Sequence, residues 1–347
     1  MSIETDPRDT PRHPRRRAFL IGHQEAEDRL LHSYRVGRLH HAWLVSGPRG
    51  IGKATLAYRF ARFLLRYPLA GEAPSSLHVD SDHPVFRRVA AGTHPDLFVA
   101  ERSFDSRTSR LKTETGVDIA RLASGFFSRS AAENGWRVCI VDPIDDLNAE
   151  AANALLKILE EPPLRSIFLL VCNKPGNVLR TIRSRCLRLN LTPLEITEVM
   201  EVVQRISGEE APSLRDIELA AELSRGSPGR AFELIGSGGT RTFAEFHSLV
   251  AHLPRLDRRQ ALALADKLQS RAAEEDFGIF CQLLADWVAD RAREGALSGR
   301  NAAQRWAELH AELGHSIRQA NALNLDRRQL VMHAFEALQD AARQSHS

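Results

Sequence analysis

Residues Gly47-Pro48-Arg49-Gly50-Ile51-Gly52-Lys53 fit the pattern Gly-x-x-x-x-Gly-Lys, in which backbone N–H groups and a lysine cradle a polyphosphate at a helix N-terminus. The flanking sequence has the context this loop needs. Ala42-Trp43-Leu44-Val45-Ser46 is a short apolar strand running into it, and from Lys53 to Leu65 the residues Leu56, Ala57, Phe60, Ala61 and Leu64 recur at helical spacing. Strand, glycine loop and helix in this order specify a phosphate-loop fold. One position departs from it: where a hydroxyl normally ligates magnesium, this chain carries Ala54. Thr55 is next, but one helical residue is a rotation of about 100°, so its hydroxyl points elsewhere.

A second departure lies downstream. The apolar run Val138-Cys139-Ile140-Val141 leads into Asp142, as a Walker B strand does, and Asp142 keeps the capacity to hold a metal-bound water. The next residue, where a glutamate usually polarises the attacking water, is Pro143, which has no carboxylate. Asp145 and Asp146 follow this proline turn and are within sequence reach of the site. A scaffold for ATP hydrolysis that lacks two of its working groups suggests a subunit that helps others to hydrolyse ATP. Two readings stay open for the loop itself: weak residual ATP or ADP binding, or persistence as a packing element.

At 347 residues, 43% hydrophobic and 26% charged, the chain has the composition of a globular protein with room for roughly two or three domains. A net charge of +3 neither demands nor excludes nucleic acid, so any DNA contact must come from a local patch. Cys139, Cys172, Cys186 and Cys281 are far apart and form no Cys-x-x-Cys pair, which argues against disulfides and for a reducing, cytosolic setting. No segment approaches the roughly 18 apolar residues of a membrane helix, so no membrane partner is expected. Arg15-Arg16-Arg17 is followed after Leu20-Ile21-Gly22 by polar sequence, so it does not begin an export signal. Residues Met1 to Arg17, rich in proline and arginine, are expected to be a mobile basic arm.

Further helices are expected over Glu25–Val36, Val117–Phe127 and, capped by Asn148, Ala149–Leu159, and strands over Leu97–Ala100, Trp136–Val141 and Ser166–Cys172. Leu69 to Arg88 reads as a weakly patterned excursion. This alternation specifies a parallel sheet with helices on both faces. After Leu189 the strand signal fades. Short helices are expected over Pro193–Gly208, Leu214–Arg225 and Pro228–Ile235, and beyond the break Gly236-Ser237-Gly238-Gly239 everything reads as helix to Arg343.

These residues resemble the bacterial clamp-loader subunits of the AAA+ class, and among them the delta-prime type of the DNA polymerase III holoenzyme. The markers are His40-His41-Ala42-Trp43-Leu44, Gly92-Thr93-His94-Pro95-Asp96, Asn153-Ala154-Leu155-Leu156-Lys157-Ile158-Leu159-Glu160-Glu161-Pro162-Pro163, Arg183-Ser184-Arg185-Cys186 and Gly226-Ser227-Pro228-Gly229-Arg230. They run in order from residue 20 to 235, while the last hundred residues match only in being helical. The fold implied is an AAA+ α/β phosphate-loop core with a parallel sheet over 18–188, a helical lid over 189–239 and an all-α collar for oligomerisation over 240–347, after the arm 1–17.

The resemblance also implies roles. Arg185 would be an arginine finger entering a neighbouring subunit's ATP site, where a guanidinium stabilises charge on the transferring phosphoryl group. Arg230 matches the sensor 2 position and Asn173 the sensor 1 region. With Gly47, Gly50, Gly52, Lys53, Thr55 and Asp142 they make up a degenerate nucleotide site. Partners implied are gamma/tau-type and delta-type subunits, the sliding clamp, and primer-template DNA through the assembly. Arg107, Arg110, Lys112 and Arg121 are candidates for phosphate-directed contact with that DNA. One departure is that relatives commonly carry a four-cysteine zinc module before the His-Pro-Asp segment. Here about Leu69 to Ala91 has no cysteine, and His78, Asp80, Asp82 and His83 read as loop residues, so neither zinc nor any other cofactor is expected to be required.

Two rivals remain. A catalytically active gamma/tau-like subunit would show turnover abolished by Lys53→Ala. An AAA+ DNA-binding repair factor would bind primer-template DNA alone, with strong salt dependence.

Overall fold

All five residues of Ala42–Ser46 (β1) are buried, so this strand needs a neighbour on each edge and cover on each face. The structure, a computed structural model, describes residues 10, 12–101, 104–105, 110–111, 122–123, 125–128, 130–133, 135–208, 211–236, 239–270, 273–297, 302–323 and 326–345. The other strands are Leu97–Glu101 (β2), Phe104–Asp105 (β3), Arg110–Leu111 (β4), Arg137–Asp142 (β5), Ser166–Cys172 (β6) and Leu187–Asn190 (β7). β3 and β4 form a separate antiparallel hairpin. The main sheet has the order β2-β5-β6-β1-β7 and is parallel throughout, with Ser46 opposite both Cys172 and Asn190, and Glu101 opposite Asp142. It is the parallel sheet that the alternation of strands and helices in the sequence leads one to expect.

The strand β7 was not legible in the sequence. It is an edge strand in which only Leu189 is buried, so neither an apolar run nor a clean alternation marks it. The stretch Leu69 to Arg88 is also more ordered than its pattern suggests. It leads into helix α3, introduced by His83, whose Nδ1 accepts the Val85 N–H at 3.1 Å, with Pro84 at the first position and Gly92 closing the end at φ 71°.

The core helices are Gln24–Arg35 (α1), Lys53–Arg66 (α2), Pro84–Ala91 (α3), Ala149–Glu160 (α4), Arg180–Arg183 (α5) and Ile196–Ser207 (α6). α2 is buried nearly all round, which is where a phosphate-loop helix sits when sheet and further chain enclose it. Asn148 caps α4 by accepting the Ala151 N–H at 2.9 Å. The helix expected over Val117–Phe127 lies largely outside the described residues; 122–123 and 125–127 are helical.

Part of the expected mobile arm is anchored. Pro14–Arg16 forms a 3-10 turn, and Arg62 of α2, 1% exposed, donates to the carbonyls of Arg15 (3.0 Å) and Arg17 while lying 4.5 Å over the Phe86 ring. Arg59 pairs with Glu27 at 2.6 Å and donates to the Ala18 carbonyl. Two buried guanidinium groups find their acceptors in this strap, which is why it is held down. Residues 1–9 and 11 lie outside the description.

The chain divides into two compact units, 1–211 with 221–231, and 212–220 with 232–347. The segment 189–239, expected as a separate lid, is shared between them. Its helices are α6, Leu214–Leu223 (α7) and Pro228–Gly236 (α8). The second unit packs Gly239–Val250 (α9), Arg258–Gln269 (α10), Glu274–Leu297 (α11), Ala302–Leu323 (α12) and Arg327–Ser345 (α13) around Phe246, Phe280, Leu284, Trp306 and Phe335. Its long apolar faces pair α11 with α12 and α10 with α13. No described helix is long and apolar enough to cross a membrane.

Candidate functional site

The phosphate loop leaves the C-terminal end of β1 and is shaped by its glycines. Gly47, Gly50 and Gly52 have φ of 150°, 79° and 107°, conformations that side chains resist. Space matters as much. A Cβ on Gly47 would lie 2.5 Å from the Leu191 carbonyl oxygen, and one on Gly50 2.5 Å from Ser227 Oγ.

Every carbonyl from Gly47 to Gly52 accepts a hydrogen bond from this same chain. Lys53 Nζ donates to Gly47 O at 2.9 Å and also to Pro48 O. Ser227 Oγ donates to Arg49 O at 2.8 Å, and Gly229 N donates to Gly50 O at 2.9 Å. His23 Nε2 donates to Ile51 O at 2.7 Å, and Leu56 N to Gly52 O at 2.9 Å. The loop is therefore cross-linked to the segment before α1, to its own helix and to the start of α8. These six bonds tie the loop's carbonyls to the rest of the chain.

Charge follows the same geometry. Lys53 is 3% exposed, and burial lowers its pKa to about 8 although Asp142 and Asp145 oppose the shift. Asp142 is pushed up to about 6 by burial and by Glu101, its partner across the β2–β5 register, with Lys53 pulling the other way. Burial lowers the His23 pKa, against the pull of its bond to Ile51 O and of Glu198 and Glu27. Asp145 reaches the site: its Oδ1 accepts the Asn173 N–H at 2.8 Å and so joins the turn after β5 to the end of β6. His13 of the strap lies 3.5 Å from Glu101.

Gly47, Gly50, Gly52, Lys53 and Asp142 thus converge, and Asn173 joins them through Asp145. Thr55 sits half-buried on the first turn of α2 beside Ala54. Arg230 is brought to the loop by Ser227, whose Oγ accepts the Arg230 N–H at 3.2 Å while donating to Arg49. Arg185 is elsewhere. It follows α5 and precedes Leu187, which pairs with Trp43 near the start of β1, whereas the loop follows Ser46 at its end. A strand of this length spans about 15 Å, so Arg185 lies at the opposite end of the sheet from its own phosphate loop. There its Nη2 meets Glu160 Oε1 at 2.8 Å and its Nη1 donates to Thr181 O at 3.0 Å.

Sequence reading missed the clamp His23 and the neighbour Glu101, which carry no local signal, and it gave Gly229, quoted only within a family marker, no contact with the loop; each is joined to the site by the tertiary fold. Of the DNA-contact candidates, Arg107, Lys112 and Arg121 lie outside the described residues, and Arg110 begins β4. Of the residues considered for zinc, His78 meets Asp80 at 3.1 Å, while Asp82 meets Arg87 at 3.2 Å and His83 caps α3.

The chain matches the family described as DNA polymerase III, delta subunit, over residues 22–195. It is 33% identical over 251 residues to the DNA polymerase III subunit delta' of Pseudomonas aeruginosa, covering 72% of this chain and 70% of that one. It is 29% identical over 285 residues to the DNA polymerase III subunit tau of Escherichia coli, covering 80% of this chain but only 42% of that one. Among solved structures, a DNA polymerase III gamma subunit-related protein of Thermotoga maritima covers 90% of this chain at 17% identity and a TM-score of 0.44. A family match across half of the sequence, together with a delta' relative aligned over most of both chains, places this protein in the DNA polymerase III delta' family of clamp-loader subunits.

Proposed function

We propose that this chain is the clamp-loader subunit that leaves ATP hydrolysis to a neighbour and supplies that neighbour with Arg185. The observation that carries this reading is the separation of Arg185 from its own phosphate loop by the length of β1. A cation at that end of the sheet is too far away to serve the loop of its own subunit, but it is anchored on the surface, 37% exposed, for use across a boundary. Ala54 and Pro143 stand where the magnesium hydroxyl and the water-polarising carboxylate would be. This role needs no nucleotide in the chain's own loop, and neither zinc nor another cofactor is required.

In this role the chain joins gamma/tau-type and delta-type subunits and takes part in placing a sliding clamp on primer-template DNA during replication, in the cytoplasm. The test is reconstitution with those partners. Arg185→Ala is expected to assemble normally while hydrolysis at the site it serves falls by about 10³–10⁵ in rate. Unchanged DNA-stimulated hydrolysis, or robust turnover by the isolated chain, would overturn the reading.

A further inference from the structure

Glu160 and Glu161 end helix α4, where the macrodipole disfavours negative charge. For Glu160 there is a compensating partner. Its Oε1 is 2.8 Å from Arg185 Nη2, and Arg185 Nη1 donates to Thr181 O at 3.0 Å. The next residue is tied down too, since Cys186 Sγ donates to Ile182 O at 3.1 Å. The guanidinium is thus held at two corners, one by α5, just before it in the chain, and one by α4. A guanidinium has more N–H donors than these two contacts use, so the fork can meet a further acceptor while Glu160 stays in place.

We propose that Glu160 is a positioning residue for the action of Arg185 on the neighbouring subunit's ATP. It rests on the reading of Arg185 as a trans-acting cation and adds what orients that cation. An ion pair with side chains 37% and 45% exposed contributes little to folding. Its consequence is orientation. Phosphoryl transfer gains from charge that is already in place when the transition state forms, because nothing then has to reorganise. Without Glu160, Arg185 keeps its charge but samples other rotamers, and each turnover must reorder it. The loss therefore falls on kcat and not on the KM for ATP. Glutamine at 160 keeps a hydrogen-bond acceptor and recovers most of the orientation.

The experiment uses the full assembly in which only the subunit beside this chain retains its phosphate-loop lysine, so that one site is read. Glu160→Ala is expected to lower kcat about two- to five-fold with KM unchanged, and Glu160→Gln to restore most of it. In an Arg185→Ala background, Glu160→Ala is expected to have no further effect, since the two act as one unit. The thermal midpoint of the chain is expected to shift by less than about 2 °C. A rate equal to or above wild type for Glu160→Ala, or an equal loss in the Arg185→Ala background, would overturn the positioning role. Arg185→Ala without loss sinks the trans reading itself; loss for Arg185→Ala beside a wild-type rate for Glu160→Ala removes only the role of Glu160.

Discussion

Gly229 donates its backbone N–H to the Gly50 carbonyl at 2.9 Å, and a Cβ on Gly50 would stand 3.0 Å from Gly229 Cα. The start of α8 is therefore seated on the phosphate loop backbone to backbone, with Ser227 bonded to Arg49 beside it. A glycine on each side is what lets the two segments approach so closely.

Gly229→Ala would place a Cβ 2.8 Å from Gly50 Cα, closer than real contacts allow. The expected cost is about 1–3 kcal/mol in denaturant unfolding. Gly71→Ala, with nothing within 4 Å of its Cβ, should stay within about 0.5 kcal/mol. Equal effects of the two would mean that the seat is not rigid.

Lys53 has a pKa lowered from 10.5 to about 8, chiefly by burial. Below pH 8 it is charged in both folded and unfolded chains, and the fold bears the whole burial penalty. Between about 8 and 10.5 the unfolded chain holds a proton that the folded chain has released, so stability rises with pH. The unfolding free energy of wild type minus that of Lys53→Met should be flat below pH 8 and climb above it. A difference that falls with rising pH would contradict the buried setting of this ammonium.

Asp142 is shifted the other way, from 3.8 up to about 6, by burial and then Glu101. Below 3.8 it is neutral in both states and carries no penalty; between 3.8 and about 6 only the unfolded chain has released the proton, so stability falls as pH rises, and above about 6 the full penalty remains. Asp142→Asn should therefore stabilise the isolated chain at pH 7 by about 1–2 kcal/mol. The gain should vanish in melts near pH 4. A gain that persists undiminished at pH 4 would refute a charge origin.

Arg62 holds the strap by its contacts with Arg15 O and Arg17 O. Arg62→Ala should free the segment and raise the rate of trypsin cleavage at Arg15 to Arg17 at least about tenfold under native conditions. Arg62→Lys, a point charge on a single stem, should restore only part of the protection because it lacks the fork that reaches two carbonyls. Cleavage as slow as wild type in Arg62→Ala would show that other contacts hold the strap.

Several features needed no tertiary information. The loop Gly47 to Lys53, the flanking strand and helix, the absent hydroxyl at Ala54 and absent carboxylate at Pro143 are all written in consecutive residues, and local periodicity reports local structure. The parallel sheet followed from alternation, and the residue blocks around Pro162, Arg185 and Arg230 were enough to indicate the family. The spacing that located α2 could not reveal that Arg59 and Arg62 on it would hold the chain's own N-terminal segment. From sequence that strap reads as a loose arm, because proline and arginine carry no periodic signal.

The rest came from contacts between residues distant in sequence. Strand register alone sets Glu101 opposite Asp142, and the β1–β7 pairing alone puts Arg185 at the far end of β1 from its own loop. The bond from Gly229 to Gly50, the clamp of His23 on Ile51 and the pairing of Glu160 with Arg185 have no signature in any window of sequence. A helix or strand is chosen by neighbours a few residues away, whereas these pairings depend on how whole elements pack, and packing is a property of the folded chain.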